Sequence, residues 1–145
     1  ETPEETQEIF ELSCNLDDMT GEELGFALEV LLKNGALDAF TVPIGMKKSR
    51  PGVMLTVLCR TSEKEQMVSL LFQHTTTLGI REKTCLRYAL GRDVITEETP
   101  YGSIRKKVSH GYGVRREKWE YEDLARIAEE QGLSLSELKK QLNQP

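Results

Sequence analysis

Asp17 and Asp18 stand side by side in the stretch CNLDDMTGEEL, with Met19, Thr20 and Gly21 directly behind them. Adjacent carboxylates repel each other. Together they offer oxygens to a hard divalent cation, above all one that arrives already carried by phosphates. The competing role is local, because an acid just ahead of an apolar-periodic run can cap a helix. Two other stretches are equally unusual in their chemistry. MKKSRPG gathers Lys47, Lys48 and Arg50 around the Ser49 hydroxyl. Lysine acts as a point charge on phosphate oxygens and arginine adds a planar fork, although a solvated hairpin tip has the same composition. HTTTLG sets the hydroxyls of Thr75, Thr76 and Thr77 in a row with Arg81 just beyond; a β-rich turn reads alike. No phosphate-binding glycine loop and no HExxH zinc motif is present, and no nucleophile–base pairing is visible around His74 or His110. Catalysis here would rest on positioning, metal and positive charge, as phosphoryl and nucleotidyl chemistry does.

Composition narrows the field. At 145 residues, 30% charged and 38% hydrophobic, the chain is an ordinary globular domain, or one domain with an appendage. Its longest apolar runs, such as VMLTVLC, are far too short to span a bilayer. The opening ETPEETQE is acidic and polar, which reads as a linker and not a signal peptide. Cys14, Cys59 and Cys85 are widely spaced, with no CxxC pair, so neither a disulfide framework nor a zinc site is indicated and a reducing cytoplasm is expected. The net charge of −5 argues against a nucleic-acid partner. The acids crowd toward the N-terminus while the basic residues fall in discrete segments, a distribution suited to a small anionic ligand.

The elements that must position these residues follow from periodicity. EIFELSCNL alternates, with Phe10, Leu12, Cys14 and Leu16 on one face of a strand. TGEELGFALEVLLKNG carries Leu24, Leu28, Leu31 and Leu32 at helical spacing, with Thr20 as cap and Gly35 as stop. DAFTVPIGM alternates through Phe40, Val42 and Ile44, and Pro43 marks an edge strand. VMLTVLCR is a strand; SEKEQMVSLLFQH is a helix with Ser62 as cap and Met67, Leu70 and Leu71 inward; GIREKTCLRYAL is a fourth strand. The order is β-α-β-β-α-β, an α+β ferredoxin-like unit. The expected organisation is a tail over 1–7, the ferredoxin-like domain over 8–91, and an appendage over 92–145 made of a hairpin about Pro100-Tyr101-Gly102 and two short helices starting near Glu120 and Ser134. The appendage is expected to lack a core of its own and to pack on the first unit or on a neighbouring chain.

Topology then brings the chemistry together. With strand order 4-1-3-2, strands one and two run parallel and strand three returns between them. The loop after strand one, the hairpin between strands two and three, and the entry into strand four therefore meet at one sheet edge. They are the three stretches NLDDMTG, MKKSRPG and HTTTLG. That edge also carries the N-terminus of the first helix, which favours anions.

Five separated motifs, CNLDDMTGE, MKKSRPG, HTTTLGIR, ETPYGSIRKKV and YEDLARIAEEQGLSLSEL, occur in an order that resembles the C-terminal domain of the LarC family over residues 8–142. These are the nickel-insertion proteins for the nickel-pincer nucleotide cofactor of lactate racemase. The resemblance implies a CTP-dependent cyclometallase, or nickel chelatase. Such an enzyme inserts Ni2+ into a pyridinium bisthiocarboxylate mononucleotide, forming carbon–nickel and sulfur–nickel bonds, while CTP is hydrolysed to CMP with manganese or magnesium assisting. It also implies an N-terminal part as partner, so that this chain is the nucleotide-binding half. Chemistry assigns the roles. Lys47, Lys48, Arg50 and Arg81 are expected on the triphosphate, with Ser49, Thr75, Thr76 and Thr77 as hydroxyl donors and Asp17 and Asp18 on its metal. Arg105 and Lys107 are expected to add phosphate contacts across a subunit boundary. Tyr101, Tyr121, Glu122 and Asp123 are candidates for base or ribose, with the acids of a helix N-terminus as the equal alternative. Nickel prefers thiolate, imidazole or carboxylate; no such cluster is visible, which leaves the substrate's own sulfurs to supply most of the ligation. A homo-oligomer is expected.

Two rivals stand beside this reading. One is a ferredoxin-like module that senses a nucleotide without catalysis. The other is RNA binding, which needs base-stacking aromatics in the central strands; EIFELSCN and VMLTVLCR supply one Phe, on the core side.

Overall fold

The computed structural model describes residues 5–143. It contains seven strands, β1 (Glu5–Leu16), β2 (Asp38–Met46), β3 (Arg50–Cys59), β4 (Arg81–Ala89), β5 (Gly91–Thr99), β6 (Gly102–Gly111) and β7 (Val114–Trp119). The helices are α1 (Gly21–Lys33), α2 (Lys64–His74), α3 (Tyr121–Gln131) and α4 (Leu135–Leu142). The chain divides into two compact units, one of them Gln7–Arg87 and the other containing Tyr88 and the residues after it. None of the described helices is long and apolar enough to cross a membrane.

The first unit has the α+β order and topology expected. Its four-stranded sheet runs β2-β3-β1-β4, with β3 antiparallel to both β1 and β2. Phe10, Leu12, Cys14 and Leu16 alternate onto one face opposite Cys59, Val57, Leu55 and Val53, and they pack with Ala27 and Leu31 of α1 and Met67 and Leu71 of α2. Thr20 caps α1 in a full capping box with Glu23. Its side-chain oxygen accepts the Glu23 N–H at 3.2 Å, and Glu23 accepts the Thr20 N–H at 2.9 Å.

Two local expectations are corrected and a third is made more specific. Ser62 does not cap α2. It lies in a 3-10 turn (Thr61–Glu63) and donates to the Glu63 carboxylate at 2.6 Å, while the helix begins behind Glu63 with no side-chain cap. Leu32 of α1 is 48% exposed, so the apolar stripe is centred on Ala27 and Leu31. In β2, Phe40 and Val42 share a face but not the core face. They pair with Thr56 and Met54, on the side where Ser13 and Thr56 join hydroxyls at 2.9 Å, and both stay exposed. Alternation fixes which residues face together, and burial against the helices decides which face that is.

The second unit is richer than a hairpin with helices. The segment VRREKW forms β7 and completes a three-stranded sheet, β5-β6-β7. The expectation that this part lacks its own core is overturned. Ile104, Trp119, Leu124, Ile127, Ala128 and Leu138 form a buried cluster, with Tyr101, Leu133, Leu135 and Leu142 packed against it. The helices account for it. In α3, Leu124, Ile127 and Ala128 recur at i, i+3 and i+4, and α4, capped by a Ser134–Glu137 capping box, adds Leu138. Few apolar residues suffice because almost all of them fall on one stripe.

Candidate functional site

Asp17 and Asp18 follow β1 directly, ahead of the Thr20 cap, so the helix does not need either carboxylate for its N-terminus. Asp17 faces the hairpin, where its Oδ2 lies 3.8 Å from Nη1 of Arg50. Asp18 faces the turn after α2, and Thr76 donates its hydroxyl to Asp18 Oδ1. The loops that topology predicts at one edge are thus in direct contact, and the aspartate pair sits between them. Arg81, at the start of β4, donates to Oδ1 of Asn15 at 3.0 Å, which holds its guanidinium over the end of β1.

The hairpin tip is tightly drawn. Lys48 and Ser49 both adopt left-handed backbone, with φ of 63° and 58°. Side chains there cost about 1–2 kcal/mol each relative to ordinary backbone. Lys47, Lys48, Ser49 and Arg50 are all exposed, so their positive charges project without being absorbed into packing. Behind the tip, a Cβ placed on Gly52 would lie 2.7 Å from the Leu16 carbonyl oxygen and would also collide with Sδ of Met46. Only a glycine lets the hairpin lie this close to the end of β1. A recess of about 250 Å3 opens there, lined by Asp17, Met19, Leu24, Pro51 and Gly52 among others.

The threonines are organised differently from simple donors. Thr75 donates to the Leu71 carbonyl at 2.6 Å and closes α2. Thr77 donates to the Gly79 carbonyl at 2.7 Å and accepts the Gly79 N–H at 3.3 Å. Two of the three hydroxyl protons therefore shape the turn, and the third, on Thr76, is given to Asp18. Beneath them lies Cys14, fully buried. Burial pushes its thiol up, against weaker pulls from Thr77, Thr75 and Arg81, so it stays protonated at neutral pH. Cys59 is raised for the same reason.

Sequence reasoning missed Asn15 and Gly52. Asn15 is legible in hindsight as a polar residue on the non-core alternation of β1, two positions before the aspartates. Gly52 gives no sequence signal that separates it from an ordinary turn glycine.

Among the described residues, no three His, Cys, Asp or Glu side chains converge. Asp17 and Asp18 suit a cation that brings phosphate oxygens and waters as its other ligands, as magnesium does.

The second group of expected residues lies in the second unit. Asp123 opens α3 and is buried. Its Oδ2 accepts Arg105 Nε at 3.0 Å and the Arg105 backbone N–H at 2.9 Å, and its Oδ1 accepts Arg105 Nη2 at 2.8 Å. The guanidinium, followed by that N–H, holds the Asp123 carboxyl down at about 2. Lys107 lies 3.6 Å from Glu120. Tyr101 donates to Oε1 of Gln141 and packs against the second core. Tyr121 and Glu122, in the first turn of α3, are exposed.

The sequence model described as "Nickel insertion protein" matches residues 1–139. A pyridinium-3,5-bisthiocarboxylic acid mononucleotide nickel insertion protein of Geobacillus kaustophilus is 48% identical over 83% of this chain and 29% of its own length. A protein of the same description from Acetivibrio thermocellus is 42% identical over 94% of this chain and 33% of its own length. The chain thus spans about a third of the length of these curated relatives. The solved apo structure of LarC2, the C-terminal domain of a cyclometallase involved in the synthesis of the NPN cofactor of lactate racemase, matches with a TM-score of 0.83 at 36% identity, covering 92% of this chain and 93% of that one.

Proposed function

The chain belongs to the nickel insertion protein family, and from that premise we propose that it is the CTP-binding, CTP-hydrolysing part of an enzyme that inserts nickel into pyridinium-3,5-bisthiocarboxylic acid mononucleotide. The observation that carries this reading is the meeting of three loops at one edge, where an aspartate pair lies against both a Lys-Lys-Ser-Arg hairpin and a threonine turn. Lys47, Lys48, Arg50 and Arg81 neutralise the triphosphate, the Ser49 hydroxyl gives it a hydrogen bond, and Thr76 turns its hydroxyl from Asp18 to a phosphate oxygen when the nucleotide is bound. Asp17 and Asp18 hold the magnesium or manganese that enters with the nucleotide and offsets charge on its phosphates. Arg50, exposed and only loosely held by Asp17, is free to exchange that carboxylate for phosphate. Nickel is cargo. Cys14 and Cys59 are buried thiols, and the half-buried Cys85 belongs to no cluster of metal-ligating side chains among the described residues, so the substrate's own sulfurs supply most of the nickel ligation. The N-terminal part of the longer relatives completes the insertion site, and the domain assembles with copies of itself.

The test is to incubate the full chain with CTP and manganese and to resolve CMP and pyrophosphate by anion-exchange chromatography. CMP released at the rate of CTP loss is the expected result. Tight CTP binding without turnover would instead assign the chain to a nucleotide-sensing module. Failure to bind CTP at millimolar concentration overturns the reading.

A further inference from the structure

The β5-β6-β7 sheet treats the charges on its two faces differently. By register, His110 and Arg115, then Asp93, Val108 and Glu117, then Lys106 and Trp119 lie on the face that carries the second core. On that face the Lys106 and Arg115 cations are both matched, and the His110 ring has an acidic neighbour. Lys106 lies 3.0 Å from Glu97 and 3.4 Å from Glu117, over the Trp119 ring; Arg115 lies 3.1 Å from Glu117; and His110 lies 3.4 Å from Asp93.

The opposite face is built in two cross-strand rows, Arg92–Ser109–Arg116 and Val94–Lys107–Lys118. Lys107 has Glu120 at 3.6 Å. Among the described residues, no carboxylate lies within ion-pair distance of Arg92, Arg116 or Lys118. Lys107 and Lys118 are direct cross-strand partners, and like charges so placed destabilise a sheet. A cavity of about 470 Å3 opens over this face, lined by Arg92, Val94, Lys107 and Ser109, with Asp93 and Val108 at its floor turned by register to the other side. Neighbouring strands are about 4.8 Å apart and the two rows about 7 Å apart. The grid thus presents two arginine forks flanking a hydroxyl, and one row away two ammonium groups beside an exposed valine.

We propose that this face binds a small ligand carrying a phosphate and a second, carboxylate-type anion about one ring-width away, with an unsaturated ring lying against Val94. Arginine forks flanking a serine suit the phosphate, and the lysine row suits a carboxylate or thiocarboxylate. Under the proposed function, on which this step rests, that ligand is the pyridinium mononucleotide substrate, bound apart from CTP. The site joins anions to a repulsive cation row and relieves it. Its two short rows are too small to track the backbone of a nucleic acid.

Nicotinic acid mononucleotide, which carries one phosphate and one ring carboxylate, is the probe, with AMP as the phosphate-only control. Both are titrated calorimetrically into the full chain, and CTP with manganese is titrated in parallel. Arg92→Ala with Arg116→Ala is expected to weaken nicotinic acid mononucleotide about a hundredfold, since two charge-assisted hydrogen bonds are lost and each is worth about a factor of ten, and to leave CTP unchanged. Lys47→Ala with Arg50→Ala is expected to do the reverse. AMP is expected to bind wild type several-fold more weakly than the probe. Undiminished probe binding in the Arg92/Arg116 variant overturns the site. Equal affinity for AMP and the probe overturns the two-anion ligand, and so does stronger binding of a single-stranded oligonucleotide than of the probe. If CTP fails to bind wild type while the mononucleotide arms behave as expected, the proposed function falls and this site stands. If the hairpin variant loses both ligands, the site falls and the CTP reading stands.

Discussion

Each unit has an arginine facing an aspartate, and the two pairs are built in opposite ways. Arg105 meets Asp123 through three hydrogen bonds of 2.8–3.0 Å, two from its guanidinium and one from its own backbone, and Asp123 retains 13% side-chain exposure. Arg50 reaches Asp17 at a single distance of 3.8 Å, with 62% of its side chain exposed. The first pair ties β6 to the start of α3 and closes the second core. The second touches without binding firmly, as an arrangement must if a ligand is to take one partner away. The charges alone do not separate a clamp from a receptor. The number of hydrogen bonds and the water left around them do.

The sharpest way to break this contrast is to remove the cations of the loose pair. Lys47→Ala with Arg50→Ala should lower CTP affinity by about a hundredfold or more, two charge-assisted contacts being lost. The stability change should stay within about 0.5 kcal/mol, because the tip is exposed. Calorimetric titration and a thermal melt read the two quantities, and unchanged CTP affinity in a folded variant removes the hairpin from the site. Asp123→Asn should show the inverse profile, a loss of about 2 kcal/mol of stability with CTP affinity intact. Chemical denaturation followed by Trp119, the single tryptophan of the chain and part of the second core, measures it. The same pair predicts an acid limb. Because the folded Asp123 carboxyl is lowered to about 2, its contribution is complete above the ordinary carboxylate range and is lost as pH falls through about 2. Trp119 emission should move over that window in the wild type and lose that limb in Asp123→Asn. The smallest effect is expected at Ser49, whose φ of 58° a glycine adopts freely. Ser49→Gly should add about 1 kcal/mol of stability and weaken CTP a few-fold as the tip loses its fixed shape. A gain in CTP affinity would show that the strained tip opposes binding.

Much of the first unit was legible because each of its links has an independent signal. Thr20 and Glu23 announce a capping box, Pro43 marks an edge strand, and the 4-1-3-2 order follows once the β-α-β-β-α-β pattern is set. The contacts between Asp17, Asp18 and the other two loops were derivable from that order, though their partners were not. Nothing in the sequence says that Arg81 rests on Asn15, or that Thr75 and Thr77 use their hydroxyls on the turn. Such pairings depend on angstrom-scale placement. The second unit was read poorly for two physical reasons. VRREKW carries charge on both faces and so lacks the alternation that marks a strand. The second core draws single apolar residues from distant elements, Ile104, Trp119 and Leu138 among them, and their convergence is a tertiary fact. Arg105 and Asp123 illustrate the remainder, since their types suit phosphate and ribose as well as they suit each other.

Gly52 acts as the zero-clearance bearing of the whole edge. The hairpin carrying the cations and the strand end carrying the acids meet at a backbone-to-backbone gap that admits no methyl group. The separation between opposite charges is therefore set by a hard stop and not by the attraction itself. Salt that screens the charges, or a ligand that neutralises them, can change the side-chain positions at this edge while the two backbones keep their spacing. The reach of Lys47, Lys48 and Arg50 is then a matter of side-chain length measured from a fixed datum.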